Sequence, residues 1–180
     1  MARRAQSGYD LTQRMKRPIG FFWHAHQSQI YAELIRLEKL GFVGYQVIEQ
    51  HDRPDKKLYT ITESGLQALR RWVGEPVGVA PERSELVLKA YAAWLAEPQQ
   101  AINLFREQER YHAANLAQYE HILAELQQEH ASIWEVDQPF FGDYATLLKG
   151  IGYEREYVSW CGWMADQFEH YLQRKIAREL

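Results

Sequence analysis

A chain of 180 residues, 46% hydrophobic and 25% charged, can bury a sizeable core as one domain or as two small ones. Its single cysteine, Cys161, excludes an intrachain disulfide, and no run of about 18 apolar residues exists to span a membrane. The net charge of −3 divides unevenly: residues 1–75 hold 12 Lys+Arg against 8 Asp+Glu, and residues 76–180 hold 9 against 16. A basic first part on an acidic remainder is expected where one segment meets phosphates and the other does not.

The opening MARRAQSGYD has arginines but no apolar stretch behind them, so it is not a secretory signal. The expected compartment is the cytoplasm. SGYDLTQRMK predicts a helix, with Ser7 as N-cap, Asp10 in the first turn, and Leu11 and Met15 spaced i, i+4. Pro18 and Gly20 end it. In GFFWHAHQ, Phe21, Phe22 and Trp23 read as core residues between two helices, with stacking on a ligand as the alternative for Trp23. His24 and His26 lack a third ligand nearby, so no metal is expected.

Ser28–Leu40, SQIYAELIRLEKL, predicts the next helix. Ile30, Leu34 and Leu37 line one face, and Gly41 follows where a helix needs a residue that tolerates positive φ. Gln27, Gln29, Glu33, Arg36 and Lys39 lie on the other. A helix with one buried stripe and amides and hydroxyls near its start suits the major groove. The plain alternative is a solvated surface helix.

After Gly41 the pattern changes to period two. FVGYQVIEQ places Val43, Tyr45 and Val47 on one face, and KLYTIT places Leu58 and Thr60 opposite Tyr59 and Ile61. HDRPDK between them, with Pro54, reads as the turn of a two-stranded hairpin carrying Arg53, Lys56 and Lys57. Lysines also guard exposed edges; directly behind a groove-reading helix they fit a wing that touches phosphate. Thr62 then caps ESGLQALRRWV, whose Leu66, Leu69, Trp72 and Val73 share a face.

The sequence divides into 1–75, a Gly/Pro linker at 76–81, and a helical region at 82–180. ERSELVLKAYAAWLA predicts a short helix stopped near Glu97-Pro98. From Gln99 to about Trp134 one long helix is expected, striped by Leu104, Tyr111, Ile122, Leu126 and Ile133 and interrupted by Gln108 and Asn115. Those two polar residues either fix the register of a dimer or are solvated. Past Asp137-Gln138-Pro139 a second long helix keeps 3/4 spacing through Leu147, Ile151, Val158, Cys161, Met164, Phe168, Leu172 and Ile176. An antiparallel pair with so long an apolar seam predicts a symmetric dimer. The aromatics Trp134, Phe140, Phe141, Tyr144, Tyr153, Tyr157, Trp160 and Trp163 read as packing, with a ligand box as the alternative.

No Gly-rich phosphate loop, HExxH, GxSxG or metal cluster is present, and Cys161 falls on an apolar stripe. His112, His121 and His130, nine apart on a helix, do not converge. No enzyme activity, catalytic residue or cofactor is expected.

SGYDL (Ser7–Leu11), IGFFW (Ile19–Trp23), SQIYAELIRLEKLGFV (Ser28–Val43), RPDKKLYTITESG (Arg53–Gly65) and REYVSWCGWMADQF (Arg155–Phe168), in this order, resemble the PadR-type transcriptional regulators. The resemblance covers most of the chain. It implies a mostly α fold: a winged helix-turn-helix with a two-stranded wing, then a long-helix C-terminal dimerisation domain. It further implies binding to inverted-repeat double-stranded DNA as a homodimer, usually as a repressor, and in several members a small effector, phenolic acids among them. Members usually carry a further apolar helix ahead of SGYDL, where this sequence has only MARRAQ.

On that reading, Gln27, Ser28 and Gln29 are candidates for base edges and nearby phosphates. Tyr31 and Tyr9 would give hydroxyls to phosphates, with half-burial against the wing as an equal reading of Tyr31. Arg53, Lys56 and Lys57 would be wing contacts to backbone or minor groove. The rival expectation is a dimeric helical protein-interaction module without DNA binding.

Overall fold

Ser7 caps the first helix as its sequence predicts: its Oγ accepts from the Asp10 N–H at 3.2 Å, while its own N–H donates to the Asp10 carboxylate at 3.0 Å. This computed structural model describes residues 4–16, 25–49, 55–79 and 83–179. They fall into two compact units, Met1–Val79 and Ala80–Leu180. No helix among the described residues is long and apolar enough to cross a membrane.

The first unit runs β1 (Gln6–Ser7), α1 (Gly8–Lys16), α2 (Gln27–Lys39), β2 (Val43–Ile48), β3 (Lys56–Ile61) and α3 (Glu63–Val73). Helix α2 thus sits one residue earlier at each end than the sequence indicates. Gly41 has φ +69°, as expected of the residue that stops it. The expected two-stranded sheet has a third strand. β1 pairs antiparallel with the outer edge of β3, giving the order β1-β3-β2. A strand of two residues is too short to show any period, so the sequence carries no signal for it.

β2 and β3 pair Val43 with Ile61, Tyr45 with Tyr59 and Val47 with Lys57. Along β2, exposure rises from 4% at Val43 to 37% at Tyr45 and 52% at Val47. The hairpin is therefore rooted in the core by its first pair and runs out of it toward the turn. Leu34, Val43 and Tyr59 form that core, with Leu11, Ile30 and Leu37 packed on it. Thr62 caps α3 through the Gly65 N–H at 3.1 Å, and its hydroxyl also reaches the Gly41 carbonyl at 2.7 Å. One side chain thereby fastens the end of the hairpin to the turn that ends α2.

The second unit holds α4 (Glu85–Tyr91), a 3-10 turn (Ala93–Leu95), α5 (Pro98–Glu129) and α6 (Phe141–Glu179). Pro98 opens α5, where its missing N–H costs nothing. α5 ends five residues before Trp134, and Ile133, fully buried, lies in the turn beyond it. α5 and α6 pack antiparallel, with Phe105 near Cys161 and Tyr119 near Gly150.

The seam of α5 differs from the expected stripe. One row of its buried and half-buried positions, Ala101, Phe105, Gln108, His112, Asn115, Tyr119, Ile122 and Leu126, runs in unbroken steps of four and three, with Ile102, Leu104, Leu116 and Leu123 covered beside it. Leu104 lies off this row, and Tyr111 is 60% exposed. α6 matches with Leu147, Ile151, Glu154, Val158, Cys161, Ala165, Phe168 and Leu172. Here the expected row holds, with Met164 half-buried on the core beside the fully buried Ala165, Glu154 added, and Ile176 exposed. Steps of four and three are the 3.5-residue period of helices that supercoil around each other.

Candidate functional site

In the first unit, the start of α2 is open. Gln27, Ser28 and Gln29 are all exposed, and the first turn holds no acidic residue. The positive end of the helix dipole therefore faces outward unopposed. The Gln29 side chain also caps the helix, its Oε1 accepting from the His26 N–H at 2.8 Å. Arg36 is held by Glu33 at 2.7 Å on the exposed face.

Tyr9 and Tyr31 are 61% and 40% exposed. The ring of Tyr31 lies directly over Gly8, where a Cβ would come within 2.7 Å of Cε1. Glycine at position 8 thus lets α1 approach α2 closely enough to seat Tyr31 beside the start of α1.

Lys56 and Lys57 begin β3. The Lys56 ammonium sits 3.3 Å from the Asp10 carboxylate, which ties the wing to α1. Hydrogen bonds from the Ser7 backbone and hydroxyl, and then Lys56, hold the Asp10 carboxyl below the usual carboxylate range. The Lys57 ammonium stands 3.8 Å over the Tyr45 ring, and its contact with Tyr45 raises its pKa. Burial raises that of Tyr59, whose ring centroid is 5.5 Å from Tyr45. Arg53, with Trp23 and His24, lies outside the described residues. Tyr9, Tyr31, Lys56 and Lys57 therefore belong to one unit whose α1, α2 and wing are joined by the Gly8–Tyr31 and Asp10–Lys56 contacts.

The second unit holds a polar layer of which the sequence reading singles out only Asn115. His112 Nδ1 and Glu154 Oε2 lie 2.5 Å apart, both side chains buried, and Asn115 Nδ2 donates to Glu154 Oε1 at 3.5 Å. The Tyr157 ring stacks on His112 at 4.5 Å, and Tyr153 stands 6.3 Å away, edge on. Burial and the nearby Glu154 push Tyr119 up to about 12. The signal was available: His112 and Asn115 stand on the four-three row of α5, and Glu154 on that of α6.

Beside this layer, α4 and α6 enclose a cleft of about 1070 Å³. Val87, Leu88 and Tyr91 form one wall, Tyr153, Tyr157 and Trp160 the other, and Arg83 and Lys149 stand at its rim. Burial pushes Cys161, on the seam, up to about 11, which keeps it a thiol. Among the described residues no cluster of three His, Cys, Asp or Glu could hold a metal.

The family described as "Transcriptional regulator PadR-like family" matches residues 1–71, and "Virulence activator alpha C-term" matches residues 82–169. The negative transcriptional regulator PadR of Bacillus subtilis is 37% identical over 162 residues, covering 86% of this chain and 85% of that protein. The crystal structure of B. subtilis PadR in complex with operator DNA is similar at a TM-score of 0.81 and 34% identity, over 91% of this chain and 92% of that one. The same protein in complex with p-coumaric acid aligns at a TM-score of 0.72 and 32% identity, over 92% and 91%.

Proposed function

The chain belongs to the PadR-like family of transcriptional regulators, and on that premise we propose that it is a sequence-specific DNA-binding repressor. The family is one of regulators rather than enzymes, in agreement with the lack of any catalytic motif in the sequence. The proposed repressor acts in the cytoplasm as a homodimer on an inverted-repeat operator and is released by a small aromatic acid. The observation that carries this reading is the exposed polar start of α2 in one unit with the lysines of the hairpin, in a chain similar to a regulator solved with operator DNA over 91% of its length.

In this reading Gln27 and Ser28 approach base edges, while Gln29 both caps α2 and faces the groove. Phosphates receive the hydroxyls of Tyr9 and Tyr31 and the ammonium groups of Lys56 and Lys57, and Arg53, three residues before Lys56 in the sequence, is a further phosphate candidate. The dimer forms through the C-terminal helices. α6 leaves Trp163, Tyr171 and Ile176 about half exposed, apolar area that a second copy would cover. A two-fold pair then presents two α2 helices about 34 Å apart, one turn of DNA.

The test is a mobility-shift titration on the inverted repeat upstream of the protein's own gene, with and without p-coumarate. The reading expects a discrete dimer complex that p-coumarate dissolves. A stable dimer that shifts no duplex would favour an interaction module instead.

A further inference from the structure

In the first unit, the residues around β1 and one face of α1 line a second cavity, of about 460 Å³. Its polar groups are Arg4, Gln6, Asp10, Gln13 and Arg14. The chain passes from β1 straight into α1, which brings Arg4 to the same cavity as Arg14. On α1, Asp10 and Arg14 are spaced i, i+4, and so are Tyr9 and Gln13. The cavity therefore borders the helix face that carries the exposed Tyr9.

Its charges are unbalanced. Asp10 is the one acid among the described residues that line it, and it stands one turn from Arg14, where it would neutralise that guanidinium. It is engaged elsewhere. Its carboxylate accepts from the Ser7 N–H at 3.0 Å and hydroxyl at 2.7 Å, and the Lys56 ammonium sits 3.3 Å away. Arg4 and Arg14 are both exposed and have no ion-pair partner among the described residues. Two guanidinium groups at one cavity repel each other, and an anion between them removes that repulsion. The guanidinium fork matches two oxygens of a phosphodiester, and the exposed amide of Gln13 adds a neutral donor. The Asp10–Lys56 pair sets this site against the start of β3, next to the wing lysines. We propose that Arg4 and Arg14 together hold a phosphate of the DNA backbone, a contact separate from those of the α2 start and the wing. The assignment rests on the repressor reading, and it would fix how the unit sits on the duplex without reading sequence.

The experiment compares the full-length wild type with Arg4→Gln/Arg14→Gln and with Arg71→Gln, which removes a cation on α3, outside the cavity. Each is titrated against operator duplex over a range of salt and probed by ethylation interference, which reports the phosphates a protein needs. The double variant should bind operator about tenfold more weakly, with a slope of log Kobs against log salt shallower by about one. A phosphate in each half-site whose ethylation blocks wild type should no longer matter to it. Arg71→Gln should keep the wild-type slope and interference pattern. Both arginines of the cavity are exposed, so thermal midpoints should stay at the wild-type value. If the double variant melts early, Arg4→Gln and Arg14→Gln singly should show the same loss at the same phosphate. An interference pattern and slope identical to wild type would overturn the contact and leave the repressor reading standing. A slope lowered equally by Arg71→Gln would reduce the effect to overall charge, and the proposal fails. It fails also if the slope holds while millimolar inorganic phosphate raises the midpoint of wild type alone, since the cavity then takes a free anion. A wild type that binds no duplex would overturn the contact and the repressor reading together.

Discussion

His112 on α5 and Glu154 on α6 face each other inside the helical seam, with the histidine Nδ1 2.5 Å from the carboxylate. Both side chains are more than nine-tenths buried, so each supplies the other's close polar partner, with Asn115 reaching Glu154 at 3.5 Å. His112→Ala takes from the buried Glu154 its close partner and leaves it the long Asn115 contact, which should cost about 3 kcal/mol in urea unfolding. Replacing both with leucine should restore most of that loss, because no orphaned charge remains. A double variant as unstable as the single one would contradict this account of the layer.

The Gly8–Tyr31 contact makes a second prediction. Gly8→Ala drives a methyl into the Tyr31 ring and should destabilise the first unit by about 1–3 kcal/mol, read from its thermal midpoint. Tyr31→Phe keeps the packing and removes only the hydroxyl. It should therefore leave the midpoint unchanged while weakening the operator complex about tenfold, the worth of one hydrogen bond to a charged phosphate. Unchanged operator affinity would assign Tyr31 to packing alone.

Asp10 links pH to the wing. Its carboxyl titrates below its ordinary value when folded, so it stabilises the first unit above the usual carboxylate range. That stability is lost as pH falls through the lowered folded value. Asp10→Asn should flatten the acid limb of the stability profile and, by freeing Lys56, raise affinity for any duplex several-fold at low salt. An acid limb identical in both proteins would remove Asp10 from the explanation.

Cys161 should be silent toward a thiol reagent at pH 8 in the folded protein and react fully in guanidinium. Burial gives it no accessible surface and favours the protonated form. Rapid reaction of the folded protein would show the seam to be open there.

Much of this molecule is legible in its sequence. The α2 stripe of Ile30, Leu34 and Leu37, the stop at Gly41, and the caps at Ser7 and Thr62 depend on neighbours within a few residues. The first strand does not, since Gln6 and Ser7 become a strand only because β3 offers a free edge. The α5 seam was misread for a different reason. A search for apolar residues passes over His112, takes Gln108 and Asn115 for interruptions, and is drawn to Leu104 and Tyr111, one position off the row. His112 becomes intelligible as a seam residue only when Glu154, 42 positions later, is set against it. The cleft is tertiary in the same way, because α4 and α6 meet there from distant parts of the chain.

The central claim is that the basic first unit reads operator DNA through α2 and the wing. Its most direct test is the slope of log Kobs against log salt on the inverted repeat, for wild type and for Lys56→Ala/Lys57→Ala. The account predicts a steep negative slope for wild type and one shallower by about one for each phosphate that the variant no longer neutralises, with affinity falling alike on operator and unrelated duplex. A slope identical in the two proteins, or a wild type that binds no duplex at any salt concentration, would contradict it.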